Sequence, residues 1–339
     1  MLQKLNTPLR MALLVVLPLL FFVGTLCIGR YHVSFTEVWE TLSGALTGSE
    51  TDIPLRTQTV ILSVRLPRAL QGLLVGASLA ASGACFQSLF RNPLVSSGML
   101  GVSAGSGFGA ALAIILFGTS AMAPTFSFAF GILAVILSYL TGKISGGSPT
   151  VTLVLGGTII QSIFSALLSL LKYLADTDTQ LPAITFWLMG SLASTKTSNL
   201  WLSDVPMIVG LLGMLVISWR LNVLAMGDRE ARTMGLNVTA NKVAVIAFAT
   251  LATAGAVSIS GVIGWVGLVV PHICRMLFGS DNRKLIPASI SIGACFMVLV
   301  DTICRSLTSG EIPLGIVTAI VGGPFFIWLL KRTKGGSWQ

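Results

Sequence analysis

Charged residues are scarce in this chain, and their scarcity decides its class. Asp, Glu, Lys and Arg make up 10% of the 339 residues, against about 25% in a typical soluble domain. Hydrophobic residues make up 54%, and uncharged stretches that could supply the ~20 helical residues of a membrane crossing recur along the chain. These stretches include 11–29, 69–90, 144–171 and 312–330. A soluble globular fold is therefore excluded, and we predict an all-α polytopic membrane protein.

Motifs for ATP hydrolysis and metal binding are also missing. The segment 142–145, "GKIS", lacks the glycine that a phosphate-binding loop requires five positions before Gly142. The five cysteines form no C-x-x-C pair, and the two histidines, His32 and His272, are far apart in the sequence. We therefore expect a chain that is not an enzyme and that binds no metal or cofactor. The net charge of +9 indicates basic cytoplasmic loops, and we expect no nucleic-acid partner.

The segment "GVSAG" (101–105) matches the G-x-S-x-G motif of hydrolases. That motif requires a preceding strand, whereas this one falls in an apolar stretch predicted as a helix over 94–113. Glycines at four-residue spacing bring membrane helices into close contact, which favours a packing role for Gly101, Gly105 and Gly109. A hydrolase that uses Ser103 or Ser106 remains a remote alternative.

The basic residues at the two ends orient the chain. Lys4 and Arg10 precede the first apolar run, and Lys331, Arg332 and Lys334 follow the last. Because cytoplasmic loops carry the excess of Lys and Arg, we place both termini in the cytoplasm, with an even number of crossings. We treat 1–339 as a single transmembrane domain of about ten helices, at roughly 11–30, 66–88, 94–113, 121–142, 149–172, 200–220, 243–258, 262–277, 285–305 and 312–331.

Two features of this layout point to function. The uncharged stretch 243–274 is too short for two full crossings at 1.5 Å per residue, so we predict two short helices with a bend near 258–261. The polar segment 227–242 lies in a cytoplasmic loop, 222–242, that is long for a helix connection. Within it we predict a surface helix over 229–236 that docks a cytoplasmic partner.

Arg65 and Arg68 begin the second helix on the external side, against the general charge bias. Arg305 ends the ninth helix on the same side, and Pro67 suits the first turn of a helix. Charged groups in the middle of the membrane, which ion-coupled carriers normally contain, are absent from this layout. A secondary transporter is therefore only a remote alternative.

Several segments together resemble one family, the iron-chelate uptake ABC permeases, which import ferric siderophores, haem and cobalamin. They are "RLPRALQGLLVGASLAASGACFQSLFRNPLVSSGMLGVSAGSGFGA" (65–110), "WLMGSLA" (187–193), "REARTMGLNV" (229–238), "GWVGLVVPHICR" (264–275) and "EIPLGIVTAIVGGPFFIWLL" (311–330). They occur in the family's order and cover nearly the whole chain. The resemblance implies a permease subunit in a bacterial cytoplasmic (inner) membrane.

The resemblance also implies partners and sites. It implies a homodimer with the pathway at its two-fold axis, two ATPase subunits that bind ATP and Mg in the cytoplasm, and an external substrate-binding protein. We expect an iron complex as cargo (a ferric siderophore or haem), with cobalamin or molybdate/tungstate as alternatives. The implied residues are Asp228, Arg229, Glu230, Ala231, Met234 and Gly235 for ATPase coupling, Arg65, Arg68 and Arg305 for binding-protein docking, and Asn92, Leu94, Thr150, Val151 and Thr152 for the gate.

Overall fold

The computed structural model describes residues 7–49, 51–118, 120–144, 149–193, 201–308 and 310–332. These residues fold into helices joined by turns. A π-helical turn, Val60–Arg65, and a short 3-10 turn, Ser120–Met122, accompany the α-helices. The α-helices are α1 Thr7–Cys27, α2 Phe35–Thr47, α3 Leu55–Thr59, α4 Leu66–Leu89, α5 Val102–Phe117, α6 Ala123–Ile144, α7 Pro149–Leu174, α8 Gln180–Met189, α9 Trp201–Met226, α10 Asp228–Thr233, α11 Val238–Ser260, α12 Val266–Phe278, α13 Asn282–Ser306 and α14 Leu314–Arg332.

The all-helical prediction is confirmed for the described residues. Within the described ranges, six helical segments are long and apolar enough to cross a membrane: the continuous segment Leu55–Leu89 and helices α6, α7, α9, α11 and α13. Shorter apolar segments lie in α1, α5, α12 and α14. Each of the ten predicted spans therefore overlaps an apolar helix, and the crossing number of ten remains a prediction.

Helix α4 lies at the centre of the bundle, where nearly all of its residues are buried against α9, α11, α12 and α13. Small residues allow this close packing. A Cβ atom placed on Gly76 would lie 2.1 Å from the carbonyl oxygen of Gly293 in α13. One placed on Gly83 would lie 2.0 Å from that of Gly267 in α12. The backbones of these helices are therefore in direct contact.

The bundle has two ends. We name the end that contains Arg65, Arg68 and Arg305 the arginine end, and the end that contains helix α10 the α10 end. At the arginine end, the Gln71 amide in α4 donates to Asp204 in α9 over 2.7 Å. At the α10 end, the Ser88 hydroxyl donates to Asn282 over 2.7 Å. Thr25 and Thr302 share a 2.6 Å hydrogen bond near the ends of α1 and α13. Helix α1 therefore begins at the α10 end, where α9, which leads into α10, also finishes.

The start of the third predicted helix was wrong. Residues 91–101 form turns, and α5 begins only at Val102, after Gly101 adopts a left-handed conformation with φ 86°. The Asn92 side chain accepts a hydrogen bond from the Leu94 amide within these turns. Gly101 therefore precedes the helix instead of packing from within it, and "GVSAG" spans a helix start.

The other two glycines of that motif lie against α6. A Cβ placed on Gly105 would be 2.5 Å from the carbonyl oxygen of Phe130, and one on Gly109 would be 2.4 Å from that of Phe126. Ser106 is fully buried, and its hydroxyl donates to the carbonyl of Ser127 over 3.0 Å. This segment therefore packs α5 onto α6.

The prediction of two short helices after residue 242 was wrong for the first of them. Helix α11 runs for 23 residues because it begins at Val238, before the charge of Lys242. The bend falls at 261–265, where Gly261 and Trp265 both have positive φ. Only the 13-residue α12 is short. The loop between α9 and α11 accordingly shrinks from 222–242 to 227–237.

Candidate functional site

Helix α10 is a short, polar helix at one end of the bundle, and its sequence explains both of its ends. Asp228 and Glu230 lie in its first turn and Arg232 in its last, which suits the helix dipole. Gly235 follows with φ 79°, and its amide donates to the carbonyl of Arg232. The Leu236 amide donates to the carbonyl of Ala231, closing the turn. The predicted surface helix thus exists, over six residues.

One side of α10 is held by the bundle and the other is exposed. Ala231 is fully buried in the same apolar cluster as residues of α9 and α11. Lys242 of α11 forms a 2.8 Å ion pair with Asp228. Ala231 therefore faces the bundle, whereas the Asp228 side chain keeps 27% exposure beside Lys242. The contacts of both residues with an ATPase stay predictions. The exposed residues are Arg229, Glu230, Arg232, Thr233, Met234 and Gly235.

Polar contacts brace the neighbouring turns of this end. The Asn222 amide in α9 donates to Asp281 over 2.7 Å, and its carbonyl accepts from Asn282. Burial acts to raise the pKa of Asp281, but hydrogen bonds from Asn222 and from the Arg283 amide outweigh it and hold the pKa below its ordinary value. Asp281 therefore stays ionised and caps α13. These contacts link α9 to the start of α13.

The two predicted gate segments meet at a cavity of about 230 Å³ at the α10 end. Asn92 lines it from the loop after α4, and Val151 lines it from the first turns of α7. Leu94 is 56% exposed and lies outside the lining, and Thr152 is buried. The side chain of Thr150 lies outside the described residues. The remaining lining residues are Phe90, Val95, Met99, Val154 and Leu155.

Arg68 is the centre of a charged cluster at the arginine end. Its Nε and Nη2 atoms donate to Asp301 of α13 over 2.8 to 3.0 Å. Its Nη1 and Nη2 atoms donate to Glu311 over 2.8 and 3.0 Å. One guanidinium thus donates hydrogen bonds to two carboxylates in forked geometry. It joins α4 to α13 and to the segment before α14.

The two other arginines lie near Arg68 and its two carboxylate partners. Arg65 donates to the carbonyl oxygens of Leu26, over 2.6 Å, and of Tyr31. Arg305 lies 3.8 Å from Asp301 and donates to the Thr25 hydroxyl over 2.7 Å. The cluster therefore links the end of α1, the start of α4 and the end of α13.

The three arginines predicted to dock the binding protein are largely buried within this chain, and their docking role stays a prediction. Arg65 is 4% and Arg68 is 7% exposed, and the Arg305 side chain is 11% exposed. Buried cations must be paired or hydrogen-bonded, and the chain supplies these partners itself. Sequence reasoning placed the three residues at the same end but missed Asp301 and Glu311. Neither acid carries a local motif that pairs it with Arg68.

Pro67 lies in the first turn of α4, as predicted, but α4 follows the preceding helical turns without a break, in the continuous segment Leu55–Leu89. A proline ring in a helix interior removes a hydrogen bond and clashes with the carbonyl four residues earlier. Here the preceding turn, Val60–Arg65, is π-helical, and the Leu66 amide donates to Ile61 five residues back. The wider turn accommodates the ring. Such turns are frequent at functional sites, and this one precedes Arg65 and Arg68.

Among the residues that the structure describes, no group of three His, Cys, Asp or Glu side chains could hold a metal ion. The site therefore consists of an exposed polar helix, an apolar cavity beside it and a buried ionic cluster at the opposite end of the bundle. The arrangement suits a membrane subunit that moves and that binds partners at its ends.

Comparison with known proteins assigns this arrangement to a class. The molybdate import system permease protein MolB of Haemophilus influenzae is 42% identical over 318 residues, 93% of each chain. The hemin transport system permease protein HmuU of Yersinia pestis is 34% identical and covers 96% of each chain. A solved structure described as an inward-facing conformation of a metal-chelate type ABC transporter matches with TM-score 0.84 and 39% identity, over 96% of this chain and 99% of that chain. The protein is a membrane permease of an ABC transporter.

The sequence model of the FecCD transport family matches residues 14–332 of this chain. The chain belongs to this family. Relatives include a probable iron chelatin transport system permease of Helicobacter pylori, 36% identical over 81% of this chain and 83% of that protein. The resemblance to the iron-chelate uptake permeases is thereby confirmed.

Proposed function

We propose that the chain forms a homodimeric permease of a binding-protein-dependent importer in a bacterial cytoplasmic membrane. The observation that carries this proposal is the exposed face of α10, which Ala231 and the Lys242–Asp228 ion pair fix to the bundle. A short helix held this firmly can transmit a push into α9 and α11. Two ATPase subunits, which bind ATP and Mg, would contact this face and supply the energy.

The α10 end is proposed to be cytoplasmic. Helix α14 ends there with Lys331 and Arg332, and α10 adds Arg229 and Arg232. Basic residues concentrate on the cytoplasmic side of membrane proteins. The arginine end would then face the exterior and receive the binding protein. We propose that Arg65, Arg68 and Arg305 shape this receiving surface from beneath, since all three are largely buried and each donates hydrogen bonds within the chain.

The gate is proposed to lie at the cavity between the loop after α4 and the start of α7. Asn92 and Val151 line it directly, and Leu94, Thr150 and Thr152 flank it in the sequence. Its lining is mostly apolar, so it should hold a charged or polar cargo only weakly. A weak hold suits a transit site, and selectivity would then rest with the binding protein.

The cargo is proposed to be an oxyanion of the molybdate or tungstate class. MolB, named as a molybdate import permease, is 42% identical to this chain over 93% of its own length. The iron complex expected from the sequence becomes the second candidate, which the iron chelatin and hemin relatives support at 36% and 34% identity. Cobalamin, named for a relative at 37% identity, is the third.

Vesicle transport distinguishes these cargoes. The permease, its ATPase and its binding protein would be reconstituted, and ATP-dependent uptake of radioactive molybdate, ferric siderophore, haem and cobalamin would be measured. We expect molybdate uptake that excess tungstate suppresses. Uptake of an iron chelate with no molybdate uptake would overturn the oxyanion assignment while leaving the permease class intact. Uptake driven by an ion gradient without the ATPase would favour a secondary transporter instead.

A charge placed on the exposed face of α10 should separate the permease from its ATPase. Met234 is 58% exposed, so Met234→Asp should leave the fold intact while burying a carboxylate in the proposed interface. We expect ATPase affinity to fall by at least about tenfold, as for an interface hot spot. Co-purification and ATP-driven uptake would measure this loss. The control is Met122→Asp, the same change at an exposed methionine between α5 and α6, and equal effects of both substitutions would refute the coupling role.

A further inference from the structure

Helix α4 ends at the α10 end in a conformation that usually requires glycine. Arg91 has φ 50°, in the left-handed region. The Asn92 amide donates to the Gln87 carbonyl over 3.0 Å, and the Arg91 amide donates to the Ser88 carbonyl over 3.3 Å. These two bonds form a Schellman motif, in which glycine is the favoured residue at the position that Arg91 occupies. The backbone here would fold at least as well without the side chain.

The arginine side chain reaches the start of α10. A Cβ atom built on Gly227, the residue before α10, would lie 3.6 Å from Nη1 of Arg91. The same point lies 2.3 Å from Oε2 of Glu230. A cation from the end of α4 and a carboxylate from α10 therefore converge on one glycine, whose missing side chain leaves room for both. The two charged groups face this space without forming an ion pair in the structure, and opposite charges at such a separation attract each other.

Arg91 also lies between two residues of the gate cavity. Phe90 and Asn92, its neighbours in the chain, both line that cavity together with Val151 of α7. A displacement of the Arg91 backbone therefore moves the cavity wall directly. The Schellman motif ties this loop to the last turn of α4.

We propose that Arg91 is a positioning residue that transmits the movement of α10 to the gate. When α10 shifts, Glu230 draws the Arg91 guanidinium with it, and the strained left-handed residue carries Phe90 and Asn92. The side chain thus performs a task that outweighs the preference of the backbone for glycine. This inference rests on the proposed function of α10 as the contact for the ATPase.

The test is Arg91→Gly in the complete transporter. Glycine keeps the Schellman motif, so we expect the melting temperature of the purified complex to stay the same or rise. ATPase binding and ATP hydrolysis should persist, while cargo uptake per ATP hydrolysed falls at least about fivefold. Arg91→Lys, which keeps the positive charge, should retain more transport than Arg91→Gly. Arg91→Glu, which sets a negative charge opposite Glu230, should lose at least as much coupled transport as Arg91→Gly.

Three results would overturn the inference. Arg91→Gly could transport at the normal ratio of cargo to ATP. It could lose melting temperature, hydrolysis and transport in proportion, which would indicate a structural cap only. Arg91→Glu could transport as well as Arg91→Lys. If the unmodified transporter took up cargo without the ATPase, the proposed function of α10 would be refuted instead. The failure of the Arg91 inference and the failure of the proposed function are therefore distinguishable.

Discussion

Asp301→Asn will destabilise the permease by about 3–5 kcal/mol, the usual cost of removing one partner from a buried ion pair. Asp301 is 4% exposed and accepts hydrogen bonds from two nitrogens of Arg68. It is also the carboxylate nearest to Arg305, at 3.8 Å. An asparagine can accept a hydrogen bond but cannot balance two buried guanidinium groups. Thermal unfolding in detergent or in lipid discs would measure the loss.

Glu311→Gln provides the matched control for this prediction. Glu311 binds the same arginine through two oxygens, but its side chain is 33% exposed. Water can therefore hydrate the region once the charge is removed, and an exposed ion pair contributes at most about 1 kcal/mol. We expect a small change in melting temperature. Equal losses for both variants would show that burial does not set the energy of this cluster, and an unchanged Asp301→Asn protein would refute the prediction outright.

The same cluster shows how far sequence reasoning reaches. Spacing and charge placed Arg65 and Arg68 at one end of a membrane helix and brought Arg305 to the same end. The partner of Arg68, Asp301, is 233 residues away along the chain, and no local pattern connects them. Two cations that oppose the charge bias can be exposed for a partner or buried with internal acids. Only the packing of α4 against α13 distinguishes these possibilities.

The helices themselves were predictable to different degrees, for physical reasons. Long apolar runs such as α6, α9 and α13 follow from hydropathy alone, because a bilayer demands them. Helices α2 and α8 were missed, since short helices in the connections carry no membrane-length signal. Helix α2 did leave a local trace: Ser34 and Glu37 form a capping box at its start. The predicted start of α11 is too late because the charge of Lys242 suggests a loop. In the structure Asp228 pairs with that charge, and Lys242 lies inside the helix.

Replacing a glycine where α4 touches its neighbours should cause the second large loss of stability. A Cβ atom on Gly83 would lie 2.0 Å from the Gly267 carbonyl oxygen and 2.7 Å from its Cα. Both are backbone atoms of α12, so no side-chain rotation can make room. Gly83→Ala must therefore push two helices apart, and overpacking of this kind costs about 1–3 kcal/mol or more. Gly76→Ala should behave similarly against α13, where the Gly293 carbonyl is 2.1 Å away.

Gly72→Ala is the control, because it lies on the same helix and meets a side chain instead. Its added Cβ would be 3.3 Å from a methyl group of Val298, which can shift by a few tenths of an ångström. Replacing glycine by alanine inside a helix also gains up to about 1 kcal/mol of intrinsic helix stability. We therefore expect Gly72→Ala to match or exceed the unmodified protein in melting temperature, while Gly83→Ala falls well below it. Equal melting temperatures for the two variants would mean that α4 and α12 separate at little cost.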